Sequence, residues 1–256
     1  MDIRTGKLLE IRKLSKKANR AKNTLLLVGF PGIGNVSKIV SSYVIESKKM
    51  DLQYEIYSDG FPFLVLIDSK ESIHPVSWSI YGTKLNHKIY DYFYVLTGNF
   101  LIDDPFALNL IVRNLVSFFK KELKVNYVIS VAGIATESPS ENIYVISNDR
   151  KETQRIKKKL GINTTLHNFV SYISGMNGAF LATPLKTTCF LTESYSLPYY
   201  QGIKEARNIL KAIDSVYELK ISTKEIEEDI KKIEEEIQKL SKSAQQKVDK
   251  TINYIG

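Results

Sequence analysis

Three glycines, Gly29, Gly32 and Gly34, follow the apolar run Leu25-Leu-Leu-Val28 and mark the first place where this chain could do chemistry. A turn of bare backbone between a buried strand and a helix leaves N–H groups unpaired, and such an end attracts anions. The spacing is Gly-x-x-Gly-x-Gly rather than Gly-x-Gly-x-x-Gly, and no Lys-Ser/Thr pair follows Gly34, so neither nucleotide fingerprint is met. A tight strand-to-helix turn with close packing explains the same glycines without a ligand. Two further loops place polar groups after apolar runs: Gly133, Thr136 and Glu137, and then Glu193. Together Gly29, Pro31, Gly32, Gly34, Gly133, Thr136 and Glu193 form a candidate ligand crevice. His74, His87 and His167 read as turn or loop residues with no nucleophile beside them, and Asp103-Asp104 precede Pro105, where capping a helix is their role. Cys189 is the sole cysteine, which excludes an intrachain disulfide and a cysteine zinc site, and no metal or cofactor is expected.

The elements that would position these groups follow from periodicity. Residues 25–28 are too short and uniformly apolar for an amphipathic helix and read as a strand buried on both faces. Val36, Ile39, Val40, Tyr43 and Val44 then recur at helical spacing, with Asn35 as N-cap. Strands are expected at 54–57 and 63–67 around a turn at 58–62; Pro75, Gly82 and Asn86 break the next stretch into a hairpin or loop around Trp78 and Tyr81. A strand at 90–97 leads to a helix at 105–121 that buries Phe106, Leu110, Val112, Leu115 and Phe119. Strands at 126–132, 144–147 and 187–191 alternate with a cationic helix at 153–160 closed by Gly161, a helical stretch opened by Ser174-Gly-Met-Asn-Gly178, and a helix at 202–219. This alternation predicts a three-layer α/β domain with a mostly parallel sheet, whose ligand crevices lie at the strand ends near 98–104, 133–137 and 193.

From Ser222 the pattern changes to one apolar seam, Ile226, Ile230, Ile233, Ile237 and Leu240, at alternating spacings of four and three, with Ser222 and Glu225 as a capping box. Such a helix either lies back on its own domain or joins subunits as a coiled coil. The expected division is therefore an α/β core over 1–219 with a basic arm, then a helical extension and tail over 220–256. Of the formal charge of +8, six net positive charges fall in residues 1–22, where eight basic residues face Asp2 and Glu10. That arm lacks the interleaved aromatics that stack on bases, so a nucleic-acid partner is not expected. No run approaches a membrane span and no signal peptide is apparent, which predicts a cytoplasmic protein with no membrane partner.

At this level the chain resembles the proteasome assembly chaperone 2 (PAC2) family. Val28-Gly-Phe-Pro-Gly-Ile-Gly-Asn-Val36 is similar to the family's opening strand and loop; Tyr57-Ser-Asp-Gly-Phe-Pro62, Val95-Leu-Thr-Gly98, Ala132-Gly-Ile-Ala-Thr136, Gly175-Met-Asn-Gly178 and Leu191-Thr-Glu193 follow in the family's order. Two departures stand out: Ala132 where a second glycine is common, and Ser194-Tyr-Ser-Leu-Pro198 in place of a Thr-Pro-Gly-Tyr-like segment. The resemblance implies a phosphorylase/hydrolase-like core with a C-terminal helical extension, homo-oligomerisation, and no established catalysis. It also implies binding to proteasome α subunits or the α ring, in some members through a hydrophobic-Tyr-any tail whose carboxylate docks between subunits. Here the corresponding residues are Ile252, Tyr254, Ile255 and Gly256, with Tyr254 third from the end rather than second. Two functions compete: a non-enzymatic assembly chaperone or adaptor, and a phosphorylase/hydrolase-like enzyme or small anionic ligand binder using the glycine-loop crevice, with Glu137 or Glu193 handling a proton.

Overall fold

The computed structural model describes residues 9–15, 21–168 and 170–233. Its centre is the strand expected after the N-terminal arm. β2 (Thr24–Gly29) is buried at every position and pairs in parallel with β7 (Tyr92–Thr97) on one side and β8 (Val125–Ala135) on the other. Burial on both faces explains its uniform apolarity: Leu26 and Val28 enter one core, while Leu25 and Leu27 point to the opposite face. Each such side chain contributes about 1.5–3 kcal/mol on leaving water.

The fourth parallel strand is β10 (Lys186–Ser194), beside β8. Antiparallel strands complete the sheet: β6 (Trp78–Lys84), β3 (Asp51–Tyr57) and β1 (Glu10–Lys13) beyond β7, and β9 (Ile143–Ser147) beyond β10. The order is β1-β3-β6-β7-β2-β8-β10-β9. α1 (Val36–Ser47) and α5 (Ile203–Tyr217) pack together on one face, with α3 (Arg150–Leu160) against α5 and β9. On the other face, α2 (Pro105–Phe118) and α4 (Gly175–Leu181) share a core with Leu26, Val28, Tyr94 and Trp78. The fold is thus mixed α/β around a large central sheet whose four inner strands, β7, β2, β8 and β10, are parallel, as the alternation of strands and helices predicts for the centre. Asp104 caps α2 as expected, its Oδ1 accepting from the Phe106 N–H at 2.9 Å, and Gly161 closes α3 with φ 66°.

Several local expectations are corrected. The stretch read as a hairpin or loop around Trp78 and Tyr81 is β6, an interior strand. Trp78, Ile80 and Gly82 alternate inward, and Gly82 is no chain break: a Cβ there would meet the Tyr92 and Tyr94 rings at 2.8 Å. Residues 63–67 do not join the main sheet. β4 (Val65–Ile67) pairs only with β5 (Ile73–Pro75), forming a separate ribbon that carries His74 on a strand rather than in a loop. Phe106 is exposed and Leu110 half-buried, whereas Val112, Leu115 and Phe119 are buried as expected, joined by Leu108, Ile111 and Val116. Part of the basic arm is β1, unread in the sequence; there Arg12 pairs with Glu10 at 2.7 Å and lies over the Tyr57 ring. Asn35 holds the N-cap position of α1 with a left-handed backbone and no capping bond; its Nδ2 donates to Gln201 Oε1 at 2.9 Å.

The chain divides into two compact units, Met1–Ile221 and Ser222–Gly256. In the second, the described residues are helical over 224–233, one position later than a Ser222 cap implies. The Glu227 N–H donates to the Thr223 carbonyl, and the Ser222 hydroxyl accepts from the Lys224 N–H.

Candidate functional site

The parallel strands β2, β8 and β10 end together, and beyond them opens a crevice of about 780 Å³. Its floor is Val28, residues 131–136 and Leu191; its walls are the loop 30–33, Ser37 of α1, residues 101–103 with Leu108, and residues 170–177. A cavity of this size at the carboxyl ends of parallel strands is where α/β sheets hold small ligands.

The glycines around it do three different jobs. At Gly29 a Cβ would lie 2.3 Å from Ser41 Cβ and 2.7 Å from the Ser37 carbonyl, so glycine lets α1 close onto β2. Gly133 plays the same part for the loop: its Cβ would meet the Ile33 carbonyl oxygen at 2.4 Å. Gly34 has φ 58° and sits against Ser194, while its carbonyl accepts from the Gly202 N–H at 2.7 Å. Gly32 is bare, with no atom within 4 Å of a built Cβ and an extended φ of 176°; Gly175 is as open but lies at φ 62°.

Of the residues expected to share a ligand, Pro31, Gly32, Gly133 and Thr136 line the crevice, whereas Gly29, Gly34 and Glu193 do not. Glu193 is buried within β10, accepting from the Tyr144 hydroxyl at 2.6 Å and the Ser140 N–H at 2.9 Å. Burial would raise its carboxyl, but the bonds from Tyr144, Ser140 and Asn142 hold it below the usual range, so it stays a charged structural anchor. Glu137 is exposed and off the lining.

Asp103 is the single charged side chain on the wall, and no lysine, arginine or histidine is among the described lining residues. The remaining lining is mostly aliphatic and aromatic, with hydroxyls from Ser37, Thr136, Ser171 and Ser174 and the Asn177 amide. This arrangement suits an uncharged or cationic apolar guest better than the anion expected from the glycine turn. The wall at Leu101–Asp103 falls at the strand end near 98–104 where a crevice is expected, whereas Tyr172–Met176 carries no periodic signal and is brought in only by the fold.

Two other polar groups are conspicuous. The Lys38 ammonium, half-buried on α1, donates to Thr97 Oγ1 at 3.1 Å, and its burial pulls its pKa down. At the opposite end of the sheet, Glu152 receives the Tyr127 hydroxyl at 2.9 Å and pairs with Arg155 at 2.7 Å and Lys186 at 3.3 Å. The Arg155 hydrogen bond, against the cost of burial, brings its carboxyl down to about 2. This cluster is remote from the crevice and buttresses α3.

Trp78 packs edge-on to Phe30 of the crevice wall at 4.7 Å and against Phe61 at 4.8 Å; Phe61 also lines a groove of about 590 Å³ beneath the β4–β5 ribbon. In the second unit, Ile226 and Ile230 of the expected seam are buried and Ile233 is 40% exposed. Ile237 and Leu240, like the tail residues Ile252, Tyr254, Ile255 and Gly256, lie outside the described residues. Among the described residues, no helix is long and apolar enough to cross a membrane.

Comparison with known proteins places the chain. The sequence model of the PAC2 family matches residues 26–241, and the chain belongs to that family. Among curated proteins no sequence match is found. Among solved structures, Pyrococcus furiosus PbaB, described as an archaeal proteasome activator, superposes with a TM-score of 0.80 at 20% identity, covering 92% of this chain and 100% of that one. PbaA from the same organism, described as an archaeal homolog of proteasome-assembly chaperone, gives 0.73 at 19% identity over 96% and 97%. A Mycobacterium tuberculosis proteasome-assembly chaperone homologue gives 0.63 at 11% identity over 84% and 94%. At these identities the likeness is one of fold.

Proposed function

We propose that this PAC2-family chain is a non-enzymatic proteasome assembly chaperone or adaptor that acts in the cytoplasm on proteasome α subunits. The observation that carries the reading is the family match over residues 26–241. It is supported by the descriptions of PbaA and PbaB, whose lengths the chain spans almost entirely. The crevice adds support from chemistry, because its described lining brings one carboxylate, Asp103, and no partner base to any hydroxyl. In this proposal the α/β body, phosphorylase/hydrolase-like in plan, is a scaffold. The 220–256 extension is helical, and Ile233, Ile237 and Leu240 of its seam join copies as a coiled coil, Ile226 and Ile230 being already buried within one chain. Tyr254 supplies an aromatic anchor and Gly256 the carboxylate that together enter a pocket of the α ring, with Ile252 and Ile255 alongside.

The test is a pull-down of purified α subunits with the full chain beside one ending at Asn253. Retention by the full chain alone supports both partner and tail. Retention by both moves the contact to the body, and retention by neither rejects the α-subunit reading.

A second reading, a small-ligand binder, is favoured by the 780 Å³ crevice itself. A thermal-shift screen comparing inorganic phosphate with apolar amines and alcohols separates the anion of the glycine-turn expectation from the guest that the lining favours.

A further inference from the structure

The β4–β5 ribbon is the most apolar surface on the described chain. Residues 61–67, Phe-Pro-Phe-Leu-Val-Leu-Ile, contain no charge, and Phe63, Ile67 and Ile73 are 105%, 71% and 68% exposed. Leu64, Val65 and Leu66 are also exposed, so both faces of β4 are apolar and open. The six side chains together offer on the order of 800 Å², the share that one partner gives to a standard interface and more than the largest apolar patch of about 300–600 Å² on typical monomers.

The ribbon is nevertheless a formed element. At its tip the Asp68 N–H donates to the Ser72 carbonyl, and Asp68 Oδ1 accepts from the Lys70 and Ser72 N–H groups at 2.8 and 2.9 Å. His74 Nε2 reaches the other Asp68 oxygen at 3.0 Å. A two-stranded ribbon as exposed as this one is marginal in water and is stabilised by a third strand or a packing partner. Among the described residues the outer edge of β4 has no proline, no charge and no covering strand, which are the devices that keep natural edges from pairing, whereas β5 carries Pro75.

We infer that the β4–β5 ribbon is a self-association surface, covered by the same ribbon of a second copy of this chain with the two β4 edges antiparallel. A two-fold contact of this kind is self-complementary by construction: the patch meets itself, the area offered by each copy is that of a stable partner, and the uncharged 61–67 segment brings no like charges together. The inference refines the self-assembly contained in the proposed function by naming a surface other than the 226–240 seam.

Light scattering on the full chain tests it, with Val65→Asp/Ile67→Asp beside wild type and beside Ile233→Asp/Ile237→Asp. The expected result is a wild-type mass of two chains or more that falls by at least half in the ribbon variant, with unchanged far-UV circular dichroism. A wild-type assembly that the ribbon variant leaves intact overturns the inference and leaves self-assembly through the seam standing; a monomeric wild type overturns both. Single cysteines at Leu64, Val65, Leu66 and Ile67 give a second readout, because Cys189 is fully buried and silent. Oxidation is expected to yield a disulfide-linked dimer from at least one of them and none from Leu197→Cys on another exposed loop. Equal yields from ribbon and control reject the contact.

Discussion

Alanine at Gly34 and at Gly32 separates two causes that look alike in the sequence. At Gly34 the backbone lies at φ 58°, and a Cβ would fall 1.9 Å from Ser194 Oγ and 2.9 Å from Ser194 Cβ. The left-handed backbone alone costs alanine about 1–2 kcal/mol. Relieving the overlap adds about 1–2 kcal/mol, because Ser194 is fully buried and has little room to move. Gly34→Ala is therefore expected to destabilise by roughly 2–4 kcal/mol. Gly32, extended and without neighbours, is expected to accept alanine within about 0.5 kcal/mol. Urea unfolding followed by circular dichroism measures both, with the slope on denaturant required to stay constant. A Ser194→Ala background removes the oxygen overlap but not the backbone strain, so it is expected to return about 1 kcal/mol of the Gly34→Ala loss. Equal losses at Gly32 and Gly34, or no coupling to Ser194, refute the assignment of this turn to packing.

Other perturbations follow from the charged groups. The Glu152 carboxyl, held at about 2 by Arg155, Tyr127 and Lys186 against 4.5 for a free side chain, contributes stability that is fully present above pH 4.5 and lost as pH falls toward 2. Discounted for the solvent around its partners, this amounts to about 1–2 kcal/mol; Glu152→Gln is expected to lose it at neutral pH and to converge on wild type in acid, and a pH-independent difference rejects the account. Lys38 runs the other way: its pKa is lowered by burial, so its ammonium opposes folding, and wild-type stability is expected to rise as pH approaches the free-lysine value of 10.5. Lys38→Met, which gives up only the Thr97 bond, is expected to be neutral or stabilising at neutral pH and to abolish that rise; a loss beyond about 1 kcal/mol contradicts it.

The parallel centre of the fold was legible because double-faced burial leaves short, purely apolar runs, as at β2 and β8, and because Asp104-Pro105 and Gly161 punctuate helices by known backbone chemistry. What misled was glycine and proline inside β6 and the ribbon. Gly82 accommodates two tyrosine rings, a tertiary reason that no local pattern carries, and the uniformly apolar run at 63–67 is the same whether a strand is buried or left exposed. The candidate site was half legible. Pro31, Gly32, Gly133 and Thr136 do converge, but Glu193, on the same face of β10 as the lining Leu191, is taken up by the Tyr144 hydroxyl and the Ser140 N–H, partners that only the topology brings to it. The wall at 101–103 lies at the strand end read near 98–104, whereas the wall at 170–177 comes from a distant segment joined only by the topology.

Trp78 gives this arrangement an optical consequence. It is the chain's single tryptophan, fully buried, with Phe30 of the crevice wall on one side and Phe61 of the ribbon groove on the other. Its indole Nε1 has no described hydrogen-bond partner, so the emission is governed by packing and by any water that enters. One intrinsic fluorophore therefore sits between the two concavities of the protein. Filling of the crevice and covering of the ribbon each become a colour change readable without a label, and each can be watched for its effect on the other.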